Sequence, residues 1–546
     1  MARSGSVHCP PSAPWKHNAA PPAPAQALFW SRVAIGSFRS LGATSPCGPA
    51  LRIRRCPFGS LSLRSPFRTA AISLRTLSAT EPEPNYLSRR SVLGRGLALG
   101  GLAGASAIGL SACSATSTSV KTENPRLPGT LPNPSAAAGT DQLLEIATIV
   151  AVMMENHTYD SILGLLPKGR GGFTLGADGK PINSNPWPLG SPTPPPFDDA
   201  VLSAYPMPTP CQLVGYPWNT WEAGHVSYAA GKMDGFVRSR SGPVSMGYYD
   251  ATVLPFVYSL AETFPVCTNF FSSVMAQTYP NRRYFMAGTS LGLIADVLND
   301  DVPPNGTIFE ALNAHDISWK NYYSNTPSLA IWTYLLAKPG IVSNMVGIDE
   351  FFSDAAAGTL PSYSMVDPNF GKSSEEDPQD VQFGDQFLSQ VVNAVMASPQ
   401  WPHTLLVWTY DEGGGYYDHV PPPEAVEPDA VGPTLGPGDP PGSFDRYGFR
   451  VPSGIVSPYA KPGYVSEAVH DFTSILKLIE TKWNLPPLTY RDANADDLLD
   501  SLDLQSPPAF LTPPKLAAPI DPATDDGCLS TGPGTIPPPS YVTTTS

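Results

Sequence analysis

Two apolar runs, each followed at once by acidic residues, restrict the fold of this chain more than any other feature. The first run covers residues 146–154, and the second extends from Thr404 to Tyr410. Both contain β-branched residues and no charge, which is typical of strands buried on both faces of a parallel sheet. Because helices must cover both faces of such a sheet, the runs predict an α/β fold with a central, mostly parallel sheet flanked by helices.

Amphipathic patterns elsewhere in the chain predict helices that can cover this sheet. Apolar residues recur at helical spacing from Phe387 to Val395, and again from Phe472 to Ile479. Asp471 precedes the second pattern and is a suitable N-cap residue. Proline accounts for 64 of the 546 residues, about twice its usual share. We therefore also expect long irregular loops around the α/β core.

Oxygen-bearing side chains follow both predicted strands: Glu155 and Asn156 after the first, Asp411 and Glu412 after the second. The carboxyl ends of parallel strands meet at one edge of a sheet, where open α/β sheets bind ligands. Carboxylates that meet there repel one another unless a cation lies among them. The set predicts a divalent metal site, favouring Ca²⁺, Mg²⁺ or Mn²⁺ over Zn²⁺. The alternative is that one pair merely caps the following helix or turn.

A third segment, Thr278 to Arg283, places a hydroxyl at the start of a predicted helix. Pro280 suits the first turn, where its missing N–H is tolerated, and the helix N-terminus favours an anion such as phosphate. Beside a metal, the Thr278 hydroxyl would be an activated nucleophile. Asn281 would donate a hydrogen bond to a phosphate oxygen, and Arg282 would do likewise or pair with an acid. The alternative is that Thr278 is a plain N-cap.

Taken in order, these segments resemble the phosphoesterase family that includes bacterial phospholipases C, secreted acid phosphatases and plant non-specific phospholipases C. The resemblance covers roughly residues 145–503 and is specific because the whole set occurs in the family's order. Its motifs are Met153–Asp160, Gly231–Phe236, Thr278–Arg282, Tyr410–Pro422, Gly448–Pro452, Ser457–Tyr459 and the helix Asp471–Trp483.

The resemblance implies an alkaline-phosphatase-like fold and assigns roles to residues at matching positions. Thr278 looks like the family's nucleophile, and Asn281 looks like its phosphate-contacting residue. The implied mechanism has two steps, in which Thr278 attacks phosphorus and water then hydrolyses the phosphothreonine. The residues that look like the family's metal ligands are Glu155, Asn156, Asp411 and Glu412.

Two positions depart from the family's pattern and leave its general acid undecided. Relatives carry a His-Pro pair where this chain reads Glu376-Asp377-Pro378, and a histidine where it has Asn219. A protonated Asp377 is one replacement, and His225 is another. We take His419 as the catalytic candidate; the alternative is that it only forms an ion pair with its neighbour, Asp418.

These observations favour an exported, metal-dependent phosphoesterase that hydrolyses phosphodiesters as a phospholipase C, with a phospholipid headgroup as one candidate substrate. Acid phosphatase activity on phosphomonoesters is the first alternative. A surface-binding lipoprotein that has this fold without turnover is the second. A sulfatase-like enzyme is disfavoured, because Thr278 is not a substrate for the modification that sulfatases need.

The first 113 residues read as a leader that lies outside the fold. Ser88–Leu93 resembles a twin-arginine export signal, an apolar run follows, and Leu110–Cys113 resembles a lipoprotein cleavage box. Residues 1–80 contain no Asp or Glu, so they are a transit peptide or translated sequence ahead of the true start. We expect a lipid anchor at Cys113 as the only membrane attachment, and export to the periplasm, the cell envelope or the medium.

Composition divides the remainder into a flexible tether at 114–140, a catalytic domain at 141–505 and a Pro-rich tail at 506–546 that wraps the surface or is disordered. Residues 114–546 hold 20 Lys and Arg against 45 Asp and Glu, which argues against nucleic acid as a partner. No Cys/His spacing suits a zinc thiolate site. Cys211 and Cys267 are candidates for a disulfide, which would leave Cys528 over.

Overall fold

The two apolar runs are neighbouring strands in the middle of an eight-stranded sheet. The computed structural model describes residues 125–187, 201–211, 218–522 and 528, and in it the runs form Thr148–Met154 and Thr404–Tyr410. Every residue of both strands is buried. The strands pair in parallel with Met154 opposite Tyr410, which confirms the predicted α/β class and its buried parallel core.

The sheet is parallel except at one strand. Its spatial order is β12-β6-β11-β10-β1-β9-β7-β8, and β11 alone among these strands runs against the others. Strands β2 and β3, and β4 and β5, form two small separate ladders. In chain order the strands are β1 Thr148–Met154, β2 Ser184–Pro186, β3 Val201–Ser203, β4 Tyr205–Pro206, β5 Gly247–Tyr248, β6 Val266–Cys267, β7 Trp319–Tyr323, β8 Met345–Gly347, β9 Tyr363–Asp367, β10 Thr404–Tyr410, β11 Ser453–Val456 and β12 Val465–Ser466.

Helices accompany the sheet in two packed groups. The α-helices of the described residues are α1 Tyr159–Leu163, α2 Trp221–Tyr228, α3 Pro255–Thr263, α4 Thr278–Ala287, α5 Ile308–Ala314, α6 Pro339–Val342, α7 Ile348–Ala357, α8 Val381–Ala397, α9 Phe472–Trp483 and α10 Tyr490–Ala493. Helix α8 packs against α3 and α7, whereas α9 packs against α4 and α10. Short 3₁₀ or π turns span Ala229–Gly231, Val237–Ser241, Gly242–Met246, Ser328–Ile331, Thr333–Ala337, Trp401–His403 and Leu499–Ser501.

Both helices predicted from apolar spacing are present. The pattern from Phe387 to Val395 lies inside α8, and its apolar side chains are buried. The second pattern is α9, and Asp471 caps it as predicted, accepting the backbone N–H of Thr473 at 3.1 Å. Helix α9 therefore starts where its sequence indicates.

Part of the predicted tether is packed against the fold. The backbone N–H of Gly129 donates to the carbonyl of Pro487 at 3.0 Å. The side chain of Asn484 donates to the carbonyl of Asn133 at 3.0 Å. Asn484 follows the last residue of α9 and adopts the left-handed conformation that ends many helices. Its side-chain amide binds this segment. Residues 125–140 thus lie along the end of α9, where we had expected a flexible linker.

The described part of the tail lies over the surface of the fold, which was the first of the two alternatives that we expected for it. The indole N–H of Trp401 donates to the carbonyl of Phe510 at 2.9 Å, and the Phe510 ring packs against Phe264. Further along, the backbone N–H of Ala517 donates to the Ser259 hydroxyl. Hydrogen bonds and apolar contacts, including that of the buried Leu516, hold this proline-rich strap, which forms no helix or strand in its described part.

The disulfide differs from the expected pair. Cys211 is bonded to Cys528, with their Cα atoms 5.8 Å apart, and Cys267 is buried with a free thiol. Cys267 lies in β6, inside the sheet, where its thiol has no access to a second cysteine among the described residues. The pairing of Cys211 with Cys267 was therefore wrong, and Cys528 is not left over.

The leader, with Cys113 and the twin-arginine motif, lies outside the described residues. All of the residues that are described belong to one compact unit. Among them, every helix is too short or too polar to cross a bilayer.

Candidate active site

The carboxyl ends of β1 and β10 lie side by side, as the sequence predicts. The backbone N–H of Asp411 donates to the carbonyl of Met154 at 3.1 Å, which continues the β-ladder by one residue. The backbone N–H of Asn156 then donates to the Asp411 carboxylate at 3.2 Å. Glu155 and Glu412 are also buried at this edge. The four predicted metal ligands therefore belong to one cluster of strand ends.

Asn219 connects the two strand ends and was not predicted as a site residue. Its amide donates to the Glu412 carboxylate at 2.6 Å and lies 3.4 Å from the side-chain oxygen of Asn156. Asn219 belongs to the Asn219-Thr220 pair, where the family resemblance had led us to expect a histidine. The signal in the sequence was this substitution itself, which we had read only as a loss.

The loop after β10 packs closely against the loop after β1. Asn156 has a positive φ of 65°, a conformation that asparagine tolerates better than most residues. Gly414 has a φ of 60°, and a Cβ added there would lie 2.0 Å from the Asn156 carbonyl oxygen. Gly414 therefore allows the two ligand-bearing loops to touch, and its N–H also donates to Glu412 at 2.7 Å.

We expect Gly414→Ala to lower kcat/KM for phosphate-ester hydrolysis by about 10²-fold, because a shift of about 1 Å in the site has that effect. The added methyl group must displace Asn156, which carries one side of the site. Steady-state kinetics would measure the loss, with circular dichroism as a check on folding. Gly432→Ala is the matched control, since its Cβ would meet nothing within 4 Å; equal kinetics in the two variants would contradict the expectation.

Arg282 extends from helix α4 into the carboxylate cluster. Its guanidinium binds Asp411 at 3.0 Å and lies 3.7 Å from Glu155 and 3.6 Å from Asp367. It also donates to the Ser328 hydroxyl and to the Met154 carbonyl. Arg282 thus neutralises part of the buried negative charge and connects helix α4 to β1, β9 and β10.

The single positive charge of Arg282 does not neutralise the negative charges of the carboxylate cluster. Burial raises the pKa of Glu155 well above its usual value, and Glu376 and Asp411 raise it further, against the lowering effect of Arg282. Burial also raises the pKa of Asp411 and of Glu412. One carboxylate oxygen of Glu155 is buried without a hydrogen-bond partner. Such clustered, underpaired oxygens fit a divalent cation.

The ligand oxygens are nevertheless not drawn together tightly. In the described part of the chain, the groups of three side-chain ligand atoms that lie within 4.8 Å of one another do not include Glu155, Asp411 or Glu412. The Arg282 guanidinium bridges Glu155 and Asp411 instead. The donor types match a hard metal, and the arrangement brings the four residues to one place without forming a closed cage.

Thr278 lines a small pocket together with one of the four candidate ligands, Glu155. It is the first residue of α4, and the pocket wall also includes Glu155, Arg282 and Glu376. The Thr278 side chain is largely buried, and its hydroxyl makes no hydrogen bond within the described part of the chain. A hydroxyl on a pocket beside buried carboxylates has the placement that a nucleophile needs.

The N-terminus of α4 differs from the expected phosphate site in one respect. The backbone N–H of Tyr279, in the first turn, donates to the Asp296 carboxylate at 2.7 Å. A carboxylate of the protein therefore already accepts a hydrogen bond from one of the N–H groups that we had expected to bind an anionic ligand. Its charge interacts favourably with the helix N-terminus in the same way as a phosphate would.

Asn281 also lies differently from its predicted role. Its side chain is fully buried and accepts the backbone N–H of Val274 at 3.1 Å. Its amide donates to carbonyls of the same loop, at Val274, Ala276 and Gln277. Asn281 holds the loop that leads into Thr278, and its polar atoms are committed to that loop rather than directed at the pocket.

Glu376 is a further site residue that the sequence did not assign. It lines the pocket with Thr278, whereas the neighbouring Asp377 accepts a hydrogen bond from the Tyr416 hydroxyl at 2.8 Å. Burial raises the pKa of Glu376 to about 8, and Asp296, Asp411 and Asp377 raise it as well. Of these two neighbouring carboxyl groups, Glu376 lines the pocket and Asp377 does not.

His419 belongs to a different cluster. Its Nδ1 lies 2.7 Å from Asp160, and Arg450 binds both Asp160 and Asp418 at 3.0 and 2.9 Å. The pocket wall that carries Thr278 does not include His419. The arrangement matches the alternative of an ion-paired histidine, although its partner is Asp160, whereas we had expected Asp418.

The pH dependence of stability should show this ion pair. Burial lowers the pKa of His419, but Asp160 outweighs it and the net direction is upward. A raised pKa means that the stabilisation is complete below about pH 6.5 and is lost as the pH rises through the folded-state pKa. His419→Asn should therefore lower Tm more at about pH 5.5 than at about pH 8.5. His403→Asn is the control, since His403 contacts only a backbone carbonyl; a pH-independent difference would contradict the ion pair.

Comparison with known proteins agrees with the geometry. The Phosphoesterase family matches residues 146–486. The chain is 31% identical over 405 residues to non-specific phospholipase C1 of Arabidopsis thaliana, covering 68% of this chain and 73% of the relative. It is 29% identical over 421 residues to phospholipase C B of Mycobacterium tuberculosis, with 67% and 79% covered.

A solved structure from the alkaline phosphatase superfamily of Vibrio parahaemolyticus also matches. The match covers 57% of this chain and 75% of the Vibrio chain, at 12% identity and a TM-score of 0.32. This TM-score is too low to argue from. The family match spans β1, α4 and β10, the three elements that carry or directly precede the candidate site residues. The chain therefore belongs to the phosphoesterase family and is a hydrolase that acts on phosphoric ester bonds.

Proposed function

We propose that this protein is a metal-dependent phosphodiesterase of phospholipase C type with Thr278 as its nucleophile. The observation that carries the proposal is the pocket on which Thr278, Glu155, Arg282 and Glu376 converge. The names of the relatives support the choice of diester, since both are phospholipases C.

In this proposal Glu155, Asn156, Asp411 and Glu412 hold the divalent metal. The metal would supply positive charge that lowers the pKa of the nucleophilic hydroxyl and offsets charge on the phosphoryl oxygens. The oxygen donors favour Ca²⁺, Mg²⁺ or Mn²⁺, and Zn²⁺ is less suited. Asn219 would fix the orientation of two of these ligands through its amide.

The residues of the chain then divide the reaction between them. The Thr278 hydroxyl releases its proton to solvent, and Oγ1 forms a bond to phosphorus as the bond to the leaving alcohol oxygen breaks. Glu376 lies on the pocket where it can give that oxygen a proton. Water next attacks the phosphothreonine and gives a proton to the Glu376 carboxylate, while Thr278 Oγ1 leaves phosphorus and takes up a proton from solvent. Arg282 keeps Asp411 and Glu155 in place throughout.

The charge of the chain bears on the substrate and on membrane attachment. With 20 Lys and Arg against 45 Asp and Glu after residue 113, the protein should avoid anionic lipid surfaces. A zwitterionic phospholipid headgroup is therefore the favoured substrate. Twin-arginine export and a lipid anchor at Cys113 complete the proposal, and radiolabelled palmitate would be incorporated into the wild type but not into Cys113→Ala.

The experiment that tests the function compares two chromogenic substrates, p-nitrophenyl phosphorylcholine and p-nitrophenyl phosphate, over a series of divalent metals. We expect faster hydrolysis of the choline diester, its loss after EDTA treatment and its recovery with one of Ca²⁺, Mg²⁺ or Mn²⁺. Faster hydrolysis of the monoester would instead make the protein an acid phosphatase. Metal binding without turnover of either substrate would favour the non-catalytic lipoprotein.

A further inference from the structure

A second group of polar side chains, which the phosphoesterase site does not use, surrounds His470. This histidine is fully buried, yet its Nδ1 has no hydrogen-bond partner among the residues that the structure describes. The Nδ1 atom lies 3.4 Å from a carboxylate oxygen of Asp496. Asp500 is the third member, and one ligand atom from each of the three residues lies within 4.8 Å of the others.

The hydrogen bonds of Ser466 determine which nitrogen of His470 carries the proton. The Ser466 hydroxyl lies 2.5 Å from the Asp500 carboxylate, which can only accept, so the hydroxyl donates its hydrogen there. The same hydroxyl lies 3.0 Å from His470 Nε2 and must therefore accept from it. This network assigns the proton of the neutral ring to Nε2.

With the proton on Nε2, the neutral ring presents a lone pair at Nδ1. That lone pair faces the oxygen of Asp496, which is itself an acceptor, and no donor lies between them. A fully buried lone pair that faces a carboxylate oxygen is unfavourable unless a cation joins the two. The cation is either a second proton on the imidazole or a metal ion.

The geometry and the burial favour the metal. Two ligand atoms that are each about 2.1 Å from a tetrahedral zinc ion lie about 3.4 Å apart, which matches the separation of Nδ1 and the Asp496 oxygen. Burial lowers the pKa of His470, although Asp496 and Asp500 act in the opposite direction, so the doubly protonated ring is disfavoured. The backbone N–H of Leu498 also binds Asp496 and orients its carboxylate.

We propose that His470, Asp496 and Asp500 form a divalent metal site separate from the phosphoesterase pocket. One imidazole nitrogen with carboxylate oxygens suits Zn²⁺ better than Ca²⁺ or Mg²⁺, which prefer all-oxygen ligands. Asp496 and Asp500 are partly exposed, with 43% and 29% of their side chains accessible, so the ion can enter from solvent. This proposal does not depend on the function proposed for Thr278.

The site would brace the end of the catalytic domain. The backbone of His470 binds Asn269 and Phe271, and the next residue, Asp471, caps α9 and accepts a hydrogen bond from Ser273 at 2.8 Å. Asp496 and Asp500 belong to the segment after α10. An ion among these residues would join that segment to the start of α9, so its role is structural.

The test measures zinc bound per chain and the zinc-dependent rise in Tm on the full chain after EDTA treatment and dialysis. We expect Asp496→Asn to bind one zinc ion fewer per chain than the wild type. At zinc concentrations well above Kd, the wild-type Tm should rise by about 3 °C more than that of the variant. Asp497→Asn is the matched control, because its carboxylate binds Leu499 and Thr481 and is not paired with His470. It should behave as the wild type does.

Two further measurements keep the outcome decisive. The Asp411→Asn variant distinguishes zinc bound at the phosphoesterase site from zinc bound at His470. It should lose the ion at the phosphoesterase site and retain the ion that depends on Asp496. If Asp496→Asn fails to fold, His470→Gln replaces it, with folding checked by circular dichroism. Equal zinc stoichiometry in wild type, Asp496→Asn and His470→Gln would overturn the proposal and leave a protonated His470 as the explanation.

Discussion

Replacing Thr278 with alanine should lower kcat for phosphate-ester hydrolysis by about 10³-fold or more, with little change in stability. The hydroxyl is the nucleophile in the proposed mechanism, and it makes no hydrogen bond to the described residues that its removal would break. The loss should therefore fall on turnover and leave the fold unaffected. Steady-state kinetics on the preferred chromogenic substrate, together with thermal unfolding, would measure both quantities.

The serine variant separates nucleophile chemistry from packing. Thr278→Ser retains a hydroxyl in the same place and should keep most of the activity, whereas Thr278→Val retains the shape and should be as inactive as the alanine variant. Trapping of a phosphorylated protein by rapid acid quench should succeed with wild type and fail with the alanine variant. If Thr278→Ala hydrolysed its substrate at the wild-type rate, the nucleophile would lie elsewhere.

Replacing Arg282 with leucine should produce the largest loss of stability, about 3–5 kcal/mol, because removing one member of a buried ion pair leaves uncompensated charge. Arg282 is 2% exposed and faces the carboxylates of Asp411, Glu155 and Asp367. Without it these groups are buried with raised pKa values and no neighbouring cation. Denaturant unfolding in the absence of added metal would measure the change.

Arg283 provides a matched control on the same helix. It is equally buried, but it binds an amide oxygen of Asn299 and the carbonyl of Ile331, and stacks on Trp332. Arg283→Leu removes the same charge without stranding a carboxylate cluster, so it should cost clearly less. Added divalent metal should restore part of the stability of Arg282→Leu and none of that of Arg283→Leu. Equal losses without metal would show that the carboxylates do not need Arg282.

The central sheet and the site edge were predictable because both follow from local sequence. Uncharged runs with β-branched residues specify buried strands, and residues directly after parallel strands must share an edge. Glu155 and Asp411 were found in this way. Asp367 ends β9 beside β1 and meets the same rule, but its strand, Tyr363–Asp367, is short and gives a weak pattern.

The remaining site residues could not be placed because their roles depend on contacts distant in the sequence. Asn219 reaches Glu412 across 193 residues, and nothing near it in the chain predicts that contact. Asn281 was assigned to phosphate by its motif, whereas a single loop takes up its polar atoms. Choosing between Glu376 and Asp377 needed the direction of each side chain, which adjacent residues in a loop do not reveal.

The contacts of residues 125–140 and of the described part of the tail could not be predicted for a related reason. Residues 125–140 and the tail are rich in proline and small residues, a composition shared by flexible linkers and by segments that lie over a finished surface. Only the partners, such as Asn484 and Trp401, distinguish the two. In the described residues of both segments, helices and strands are absent, as their composition indicates, but composition could not predict their packing.

The bond between Cys211 and Cys528 joins residues separated by 317 positions. Closing so long a loop restricts the unfolded chain, and in the chain-entropy description this stabilises the fold by about 6 kcal/mol. Cys211 must remain without its partner until residue 528 has been synthesised, and the free Cys267 is buried where it offers no substitute. A stop codon shortly before position 528 would therefore spare every helix and strand of the described residues and yet release a crosslink that spans 317 positions.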